Sequence, residues 1–295
     1  MRILLTGATG QIGWELRRTL APLGEIVAPG RAAFDLARPD TLGEAVRRIA
    51  PDLIVNPAAY TAVDLAESER ALAFRINAAA PEALAVAARE LGIPLLHYST
   101  DYVFDGHKLG PYRETDTPHP LGVYGASKLA GEAAVAAQGG PHLILRTAWV
   151  YGLRGKNFLL TLRKLARERD RLRVVNDQFG APTWSRLVAE ASTLVLARWL
   201  ARPAYVADSG IYHLTCAGRA SWHEFAAAIL VDLERREGRR PALEAIPGSD
   251  YPTAATRPAN SRLDCSRLEQ AFGVRLPDWR AALELCLESG GATRE

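Results

Sequence analysis

Arg2-Ile3-Leu4-Leu5-Thr6-Gly7-Ala8-Thr9-Gly10-Gln11-Ile12-Gly13-Trp14 opens the chain, and the order of residue types in it decides the fold. A β-rich apolar run ending at Thr6 gives way at once to three glycines spaced Gly-x-x-Gly-x-x-Gly rather than Gly-x-Gly-x-x-Gly. Apolar residues at helical intervals follow: Trp14, Leu16 and Leu20. Strand, glycine turn and helix in direct succession is the context that gives a glycine motif its meaning. Gly7 permits the tight turn, Gly10 lets a pyrophosphate reach the backbone, and Gly13 lets the helix pack close to the strand, with the free N–H groups of the helix N-terminus facing the phosphates. The expected fold is α/β, a Rossmann-type doubly wound parallel sheet with a smaller C-terminal substrate lobe.

Working outward, the second strand, Glu25 to Ala28, ends where an Asp or Glu would bind the 2′-hydroxyl of NAD; the chain offers Pro29-Gly30-Arg31 instead. With no carboxylate to repel a 2′-phosphate and a guanidinium to bind it, the expected cofactor is NADPH, with NADH as the alternative. Arg31 reads otherwise as a solvated loop residue. Asp35-Leu36 is either an adenine contact or a turn before Pro39. Asp52 to Asn56 is the third strand, followed by the small residues Pro57-Ala58-Ala59, then Tyr60 and Thr61, against which a flat cofactor can lie. Ala66 to Asn77 and Pro81 to Leu91 read as amphipathic packing helices, with Asn77 either a brace for the site or a core amide. Pro94 to Tyr98 is a strand that delivers Ser99-Thr100-Asp101-Tyr102 at its carboxyl end.

Tyr124 and Lys128 stand four residues apart in a helical stretch, on one face. A phenol is a poor acid at neutral pH, and a nearby cation lowers its pKa, so the pair is a candidate proton-transfer device. Thr100, 24 residues earlier, can hydrogen-bond a carbonyl oxygen where the phenol approaches.

Composition excludes several classes. The 295 residues carry 36 basic and 33 acidic side chains, net +3, evenly spread, which argues against nucleic acid as partner. Neither a signal-peptide pattern nor an uninterrupted apolar run of about 18 residues is present, so no membrane span is expected. Cys216, Cys265 and Cys286 are odd in number and lack metal-ligand spacing, which fits a reducing, cytoplasmic setting and no metal site.

Taken together, the glycine turn, Ser99-Thr100-Asp101-Tyr102-Val103-Phe104 and Tyr124-Gly125-x-Ser127-Lys128-x-x-Gly131-Glu132 resemble the extended short-chain dehydrogenase/reductases that act on nucleotide sugars. Further matches are Thr61-Ala62-Val63-Asp64, Arg146 to Gly152, Asn176 to Thr183, Tyr212-His213-Leu214, Tyr251-Pro252-Thr253 and Arg257 to Ser261, in order, from residue 1 to about 285. The resemblance implies that Tyr124 donates the proton, Lys128 lowers its pKa and binds the nicotinamide ribose, and Thr100 tunes the pair. It further implies cofactor contacts from Gly10, Gln11, Ile12, Asp35, Leu36, Ala59, Tyr60, Thr61 and Tyr98, and substrate contacts from Asp101 and Trp149. Arg257, on a stiff loop, reads as a grip on diphosphate or as the partner of a structural carboxylate. The implied reaction is reduction of the 4-keto group of a dTDP-linked 6-deoxyhexulose. An epimerase or dehydratase of the same superfamily, and a non-catalytic NADP-binding regulatory subunit, are the alternatives. Residues 1–152 are expected to form the NADP(H)-binding domain, with later segments returning to it, and residues 153–295 mainly the substrate lobe.

In that second half Phe158-containing Asn157 to Arg169, Trp184 to Trp199, Ser221 to Glu237 and Asp278 to Leu287 read as helices, the third opened by a Ser221–Glu224 capping box. Trp222 and Trp279 read as packing, and His213 as a core histidine. Arg186 stands where some relatives carry an interface carboxylate for a bridging metal, so none is expected here, and the assembly is a monomer or a homodimer.

Overall fold

The apolar runs become six parallel strands in the computed structural model, which describes residues 1–202 and 205–290. They are β1 (Arg2–Leu5), β2 (Glu25–Val27), β3 (Leu53–Asn56), β4 (Leu95–Thr100), β5 (His142–Thr147) and β6 (Gly210–His213), arranged β6-β5-β4-β3-β1-β2. Alternate residues of each strand serve opposite faces. Ile3, Leu5, Val55, Leu96 and Leu145 pack on one side with Leu16 of α1 (Gln11–Thr19), while Leu4, Ile54, Leu95 and Ile144 pack on the other with Leu42 and Val46 of α2 (Pro39–Ile49). A parallel sheet covered on both faces needs such continuous apolar strands. The strand order reverses between β1 and β3, so the connections leaving their carboxyl ends run to opposite faces of the sheet and leave a crevice.

Between β3 and β4 the structure departs from two separate helices. Val63–Ala66 and Arg70–Phe74 are short helices, and the second runs through a π-helical turn, Arg75–Ala79, into α3 (Ala80–Leu91). The cause is Pro81, which has no N–H to give the Asn77 carbonyl four residues back. The ladder widens there instead of breaking. The next helix, α4 (Val123–Ala137), packs against this turn so closely that a Cβ on Gly131 would sit 2.0 Å from Asn77 O.

Residues beyond 152 divide their allegiance. β6 pairs with β5 in the main sheet. α5 (Ser185–Leu200) lies on α1, where Thr193 Oγ1 donates to Thr19 Oγ1 at 2.8 Å. Three two-stranded pieces complete the second half: Val150–Tyr151 with Thr183–Trp184, Arg171–Val175 with Ala242–Ile246, and Phe179–Gly180 with Ala220–Ser221. α6 (Trp222–Glu237) starts at the expected capping box, Ser221 accepting from Glu224 N and the Glu224 carboxylate accepting from Ser221 N.

Candidate active site

A cleft of about 950 Å³ follows the carboxyl ends of β1, β3, β4 and β5. Its first wall is the glycine turn. Gly7 has φ +56°, which disfavours any side chain, and a Cβ on Gly13 would lie 2.1 Å from Gly7 O, so α1 can approach β1 only because residue 13 is glycine. No side chain caps the helix at Gly10. The first N–H groups of α1 thus point into the cleft, a site for anionic oxygen. The Gln11 side chain is turned elsewhere, Oε1 accepting from Asn157 Nδ2 at 2.9 Å, which leaves its backbone for the cleft.

The rim beyond β2 holds Arg31, Asp35 and Leu36. Arg31 Nε lies 3.4 Å from Asp35 Oδ1, with the arginine side chain 78% exposed. An exposed pair of this kind contributes about 0–1 kcal/mol, so the guanidinium is free to change partners. No carboxylate follows β2 directly, the segment being Ala28-Pro29-Gly30. The residues present therefore fit a dinucleotide with a 2′-phosphate.

Ala59 and Thr61 line the cleft. Tyr60 between them does not: its hydroxyl donates to Glu69 Oε2 at 2.7 Å, and that bond pushes the phenol up to about 12. The Tyr60 backbone is bound on both sides by Asn77. Asn77, in the π turn, accepts from Tyr60 N at 2.8 Å and donates to Tyr60 O at 3.0 Å and to Ser127 Oγ at 3.0 Å, while Ser127 Oγ donates to Tyr124 O at 2.8 Å. One buried amide thereby fixes the cofactor-side loop and the helix of the candidate proton donor together. Asn77 is thus a brace.

Tyr98, Thr100, Asp101, Tyr124 and Lys128 share the second wall. The Tyr98 hydroxyl is turned into the core, donating to Ser192 Oγ at 2.6 Å. Thr100 Oγ1 donates to Asp101 Oδ1 at 2.9 Å and accepts from Tyr102 N at 3.2 Å. The Tyr124 phenol is raised to about 12 by burial, with the Asp101 carboxyl acting in the same sense and the Thr100 hydroxyl opposing. This corrects the expectation from the Tyr-x-x-x-Lys spacing that the lysine lowers it. The reason is where the amine points: Lys128 Nζ donates to Tyr98 O at 2.5 Å and lies 3.3 Å from His97 Nε2, and burial lowers its own pKa to about 8. Behind Lys128, Glu132 holds Arg146 of β5 through two bonds of 2.8 and 2.6 Å, both side chains fully enclosed. That pair fastens α4 to the sheet, and removing one partner would leave an uncompensated buried charge.

The Asp101 carboxyl is raised to about 7 by burial, opposed by the nearby Ser261 and Thr100 hydroxyls, and its buried Oδ2 has no partner among the described residues. It lines the cleft, as does Trp149. Trp149 has φ +48°, and its ring fills the place a Cβ on Gly180 would take, 2.4 Å away. It stacks on Trp222 with centroids 3.4 Å apart and planes within 3°. Trp222 thus faces the cleft, where the sequence suggests packing; only the pairing of Ala220–Ser221 with Phe179–Gly180 brings it there. Arg257 lies outside the cleft lining. Its Nη2 donates to Asp64 Oδ2 at 2.7 Å and its guanidinium sits 6.0 Å from the Tyr102 ring, the arrangement of a structural pair. Arg17 and Lys156, both missed by sequence reading, also line the cleft. Nothing in their spacing distinguishes them from other solvated cations. His213 is a core residue, buried beside Arg146, and held well below its usual pKa, at about 3, by burial.

A phenol, an enclosed amine, a hydroxyl and a phosphate-ready turn along one crevice form a site for reversible reduction of a carbonyl. Comparison with known proteins agrees. A family model described as RmlD substrate binding domain matches residues 1–291. The chain is 51% identical over 292 residues to dTDP-4-dehydrorhamnose reductase of Burkholderia thailandensis, covering 97% of this chain and 98% of the relative. It is 47% identical to dTDP-4-dehydrorhamnose reductase of Escherichia coli K12, covering 97% of each. Among solved structures, dTDP-4-dehydrorhamnose reductase from Bacillus anthracis in complex with NADP superposes with a TM-score of 0.89 at 33% identity, over 98% of this chain and 99% of that one.

Proposed function

We propose, from the premise that the chain belongs to the RmlD substrate binding domain family, that it is an NADPH-dependent dTDP-4-dehydrorhamnose reductase, reducing the 4-keto group of dTDP-4-dehydro-L-rhamnose to give dTDP-L-rhamnose. The observation that carries the reading is the convergence of Thr100, Tyr124 and Lys128 on one wall of a cleft whose far end is the glycine turn.

The residues divide the work as follows. The N–H groups at the start of α1, with Gly7, Gly10 and Gly13 clearing space, hold the pyrophosphate, and Arg31 at the rim serves the 2′-phosphate. Bound there, NADPH supplies the hydride. Tyr124 gives its proton to the carbonyl oxygen, a group that its high pKa keeps protonated until the oxygen becomes basic. Thr100 supplies a hydroxyl at the same point. Lys128, cationic below about pH 8 and held by the Tyr98 carbonyl, serves the nicotinamide ribose of the bound cofactor. Asp101, lining the cleft beside Thr100, serves the sugar, and the Trp149–Trp222 stack gives the sugar a flat apolar wall. The site is completed without Arg257, which serves by holding the Ala255 loop to Asp64. All three cysteines are free thiols, in keeping with a cytoplasmic setting.

The experiment is NADPH oxidation with dTDP-4-dehydro-L-rhamnose, set against the UDP- and GDP-linked keto sugars. Stoichiometric consumption with the dTDP sugar is the expected result. Sugar interconversion with no net NADPH consumption would make the protein an epimerase, and no turnover on any keto sugar would make it a binder.

A further inference from the structure

Three buried polar side chains under the cleft take no direct part in the proton transfer: Thr6 after β1, Asn56 at the end of β3 and His97 in β4. Asn56 and His97 are direct partners in the sheet register. The contacts are continuous. Thr6 Oγ1 donates to Asn56 Oδ1 at 2.6 Å, Asn56 Nδ2 lies 3.1 Å from His97 Nδ1, and His97 Nε2 lies 3.3 Å from Lys128 Nζ. Thr6 begins the glycine turn and Lys128 stands on the proton-donor helix, so the chain of groups runs beneath the cleft from one to the other.

An imidazole so enclosed is neutral, held well below its usual pKa by burial and by the Lys128 charge. A neutral ring offers one N–H and one lone pair. Two orders of donation are then self-consistent. In the first, Thr6 donates to Asn56, Asn56 donates to Nδ1, and the Nε2–H donates to the lone pair of an uncharged Lys128 amine. In the second, the Lys128 ammonium donates to Nε2, Nδ1–H donates to the Asn56 carboxamide oxygen, and the Asn56 amide donates to the Thr6 hydroxyl. An ammonium cannot meet an Nε2–H, so the cation demands the second order; the uncharged amine, with a lone pair as well as N–H groups, admits the first, the order in which the carboxamide stands here.

We propose that His97, oriented by Asn56 and Thr6, is a positioning residue for Lys128 that reverses its tautomer with the lysine's charge, keeping the amine in one place in both states and favouring the cation. The ammonium order contains a charge-assisted bond and the amine order does not, which sets the preference. The other ionisable groups facing this pair are Glu132, one turn along α4, with Arg146 of β5 bound to it, and Tyr124 with Asp101 on the cleft side; β3 presents only the neutral Asn56. The kinetic consequence rests on the reductase reading, whereas the tautomer reversal does not.

The test is ¹⁵N NMR of the full-length protein labelled at histidine. The Nδ1 and Nε2 signals of His97 are expected to exchange protonated for unprotonated shifts together, near the lysine's titration at about 8, with the ring neutral throughout. One fixed tautomer from about pH 6 to about pH 10, or an imidazolium, overturns the proposal. In turnover, His97→Leu is expected to move the alkaline limb of kcat/KM down by about one pH unit, while His97→Gln, whose carboxamide offers either an oxygen or an N–H, leaves the limb in place. A His97→Leu profile that is lower but not displaced assigns the ring to packing and also overturns it. Should His97→Leu fail to fold, the labelled wild-type protein and His97→Gln decide. Because the NMR arm needs no substrate, a failed keto-sugar assignment and a failed tautomer reversal are read separately.

Discussion

The two ends of the cleft are built on opposite terms. At the proton-handling end Thr100, Asp101, Lys128, Glu132 and Arg146 are all buried; Lys128 is tied to Tyr98 of β4 and Glu132 to Arg146 of β5, while Thr100 holds Asp101 beside it. At the cofactor rim Arg31 is mostly in water and leans on Asp35 alone. Charges in the first region are unscreened, so a change in ionisation there is also a change in stability. Charges in the second are screened, so exchanging one partner for another costs little. The contrast separates two tasks: proton transfer needs groups that do not move, and phosphate recognition needs a guanidinium that does.

The difference can be attacked first at the buried end. Tyr124→Phe should lower kcat by roughly 10²–10⁴ while leaving NADPH affinity and Tm nearly unchanged, because only the donated proton is lost. A variant with most of its turnover would remove Tyr124 from the chemistry. Glu132→Leu strips Arg146 of its partner and should cost about 3–5 kcal/mol in denaturant unfolding, far more than any rim change; a loss below 1 kcal/mol would mean water reaches the pair. Asp101→Asn tests the same region through pH. Burial lifts the folded carboxyl to about 7 from its ordinary 3.8, so the native state binds a proton that the unfolded chain has released, and stability falls as pH rises between those values and is level above them. The variant, neutral throughout, should gain on wild type by on the order of 2–4 kcal/mol at about pH 8 and by less than about 1 kcal/mol at about pH 4, by thermal denaturation. An equal difference at both would mean the carboxyl is not desolvated. The smallest effect belongs to the rim: Arg31→Ala should raise KM for NADPH a few-fold, about 0.5–1 kcal/mol, and leave KM for NADH alone. Equal changes for the two would take Arg31 out of cofactor choice.

What could be read without coordinates follows the same division between local and distant. The strand, glycine turn and helix at residues 2–14 are contiguous, so their conformation and their use are both written in one stretch, and Tyr124 and Lys128 are set by one helix period. Thr100 is the last residue of a strand and is placed by the sheet that any such pattern makes. Trp222 is different, because it meets Trp149 only through a two-residue strand pairing that no local pattern announces. The sense of the Tyr124 shift was also beyond reach, since it depends on burial and on the Lys128 amine being claimed by Tyr98 and His97. His97 and Asn56 did leave a trace, as polar residues directly following apolar strand runs, but their register was needed to show that they meet.

The π turn before α3 has a consequence for how the site is encoded. Each residue of a helix rotates the chain by about 100°, so the wide turn over Arg75–Ala79 offsets everything before it from everything after it. Deleting one residue there would turn the stretch before it by about 100° relative to α3, swinging Asn77 off Tyr60 and Ser127 and shifting Ala73 and Phe74 against Val123. The helix thus stores information in its count of residues, and a chain one residue shorter at this point would lose the clamp.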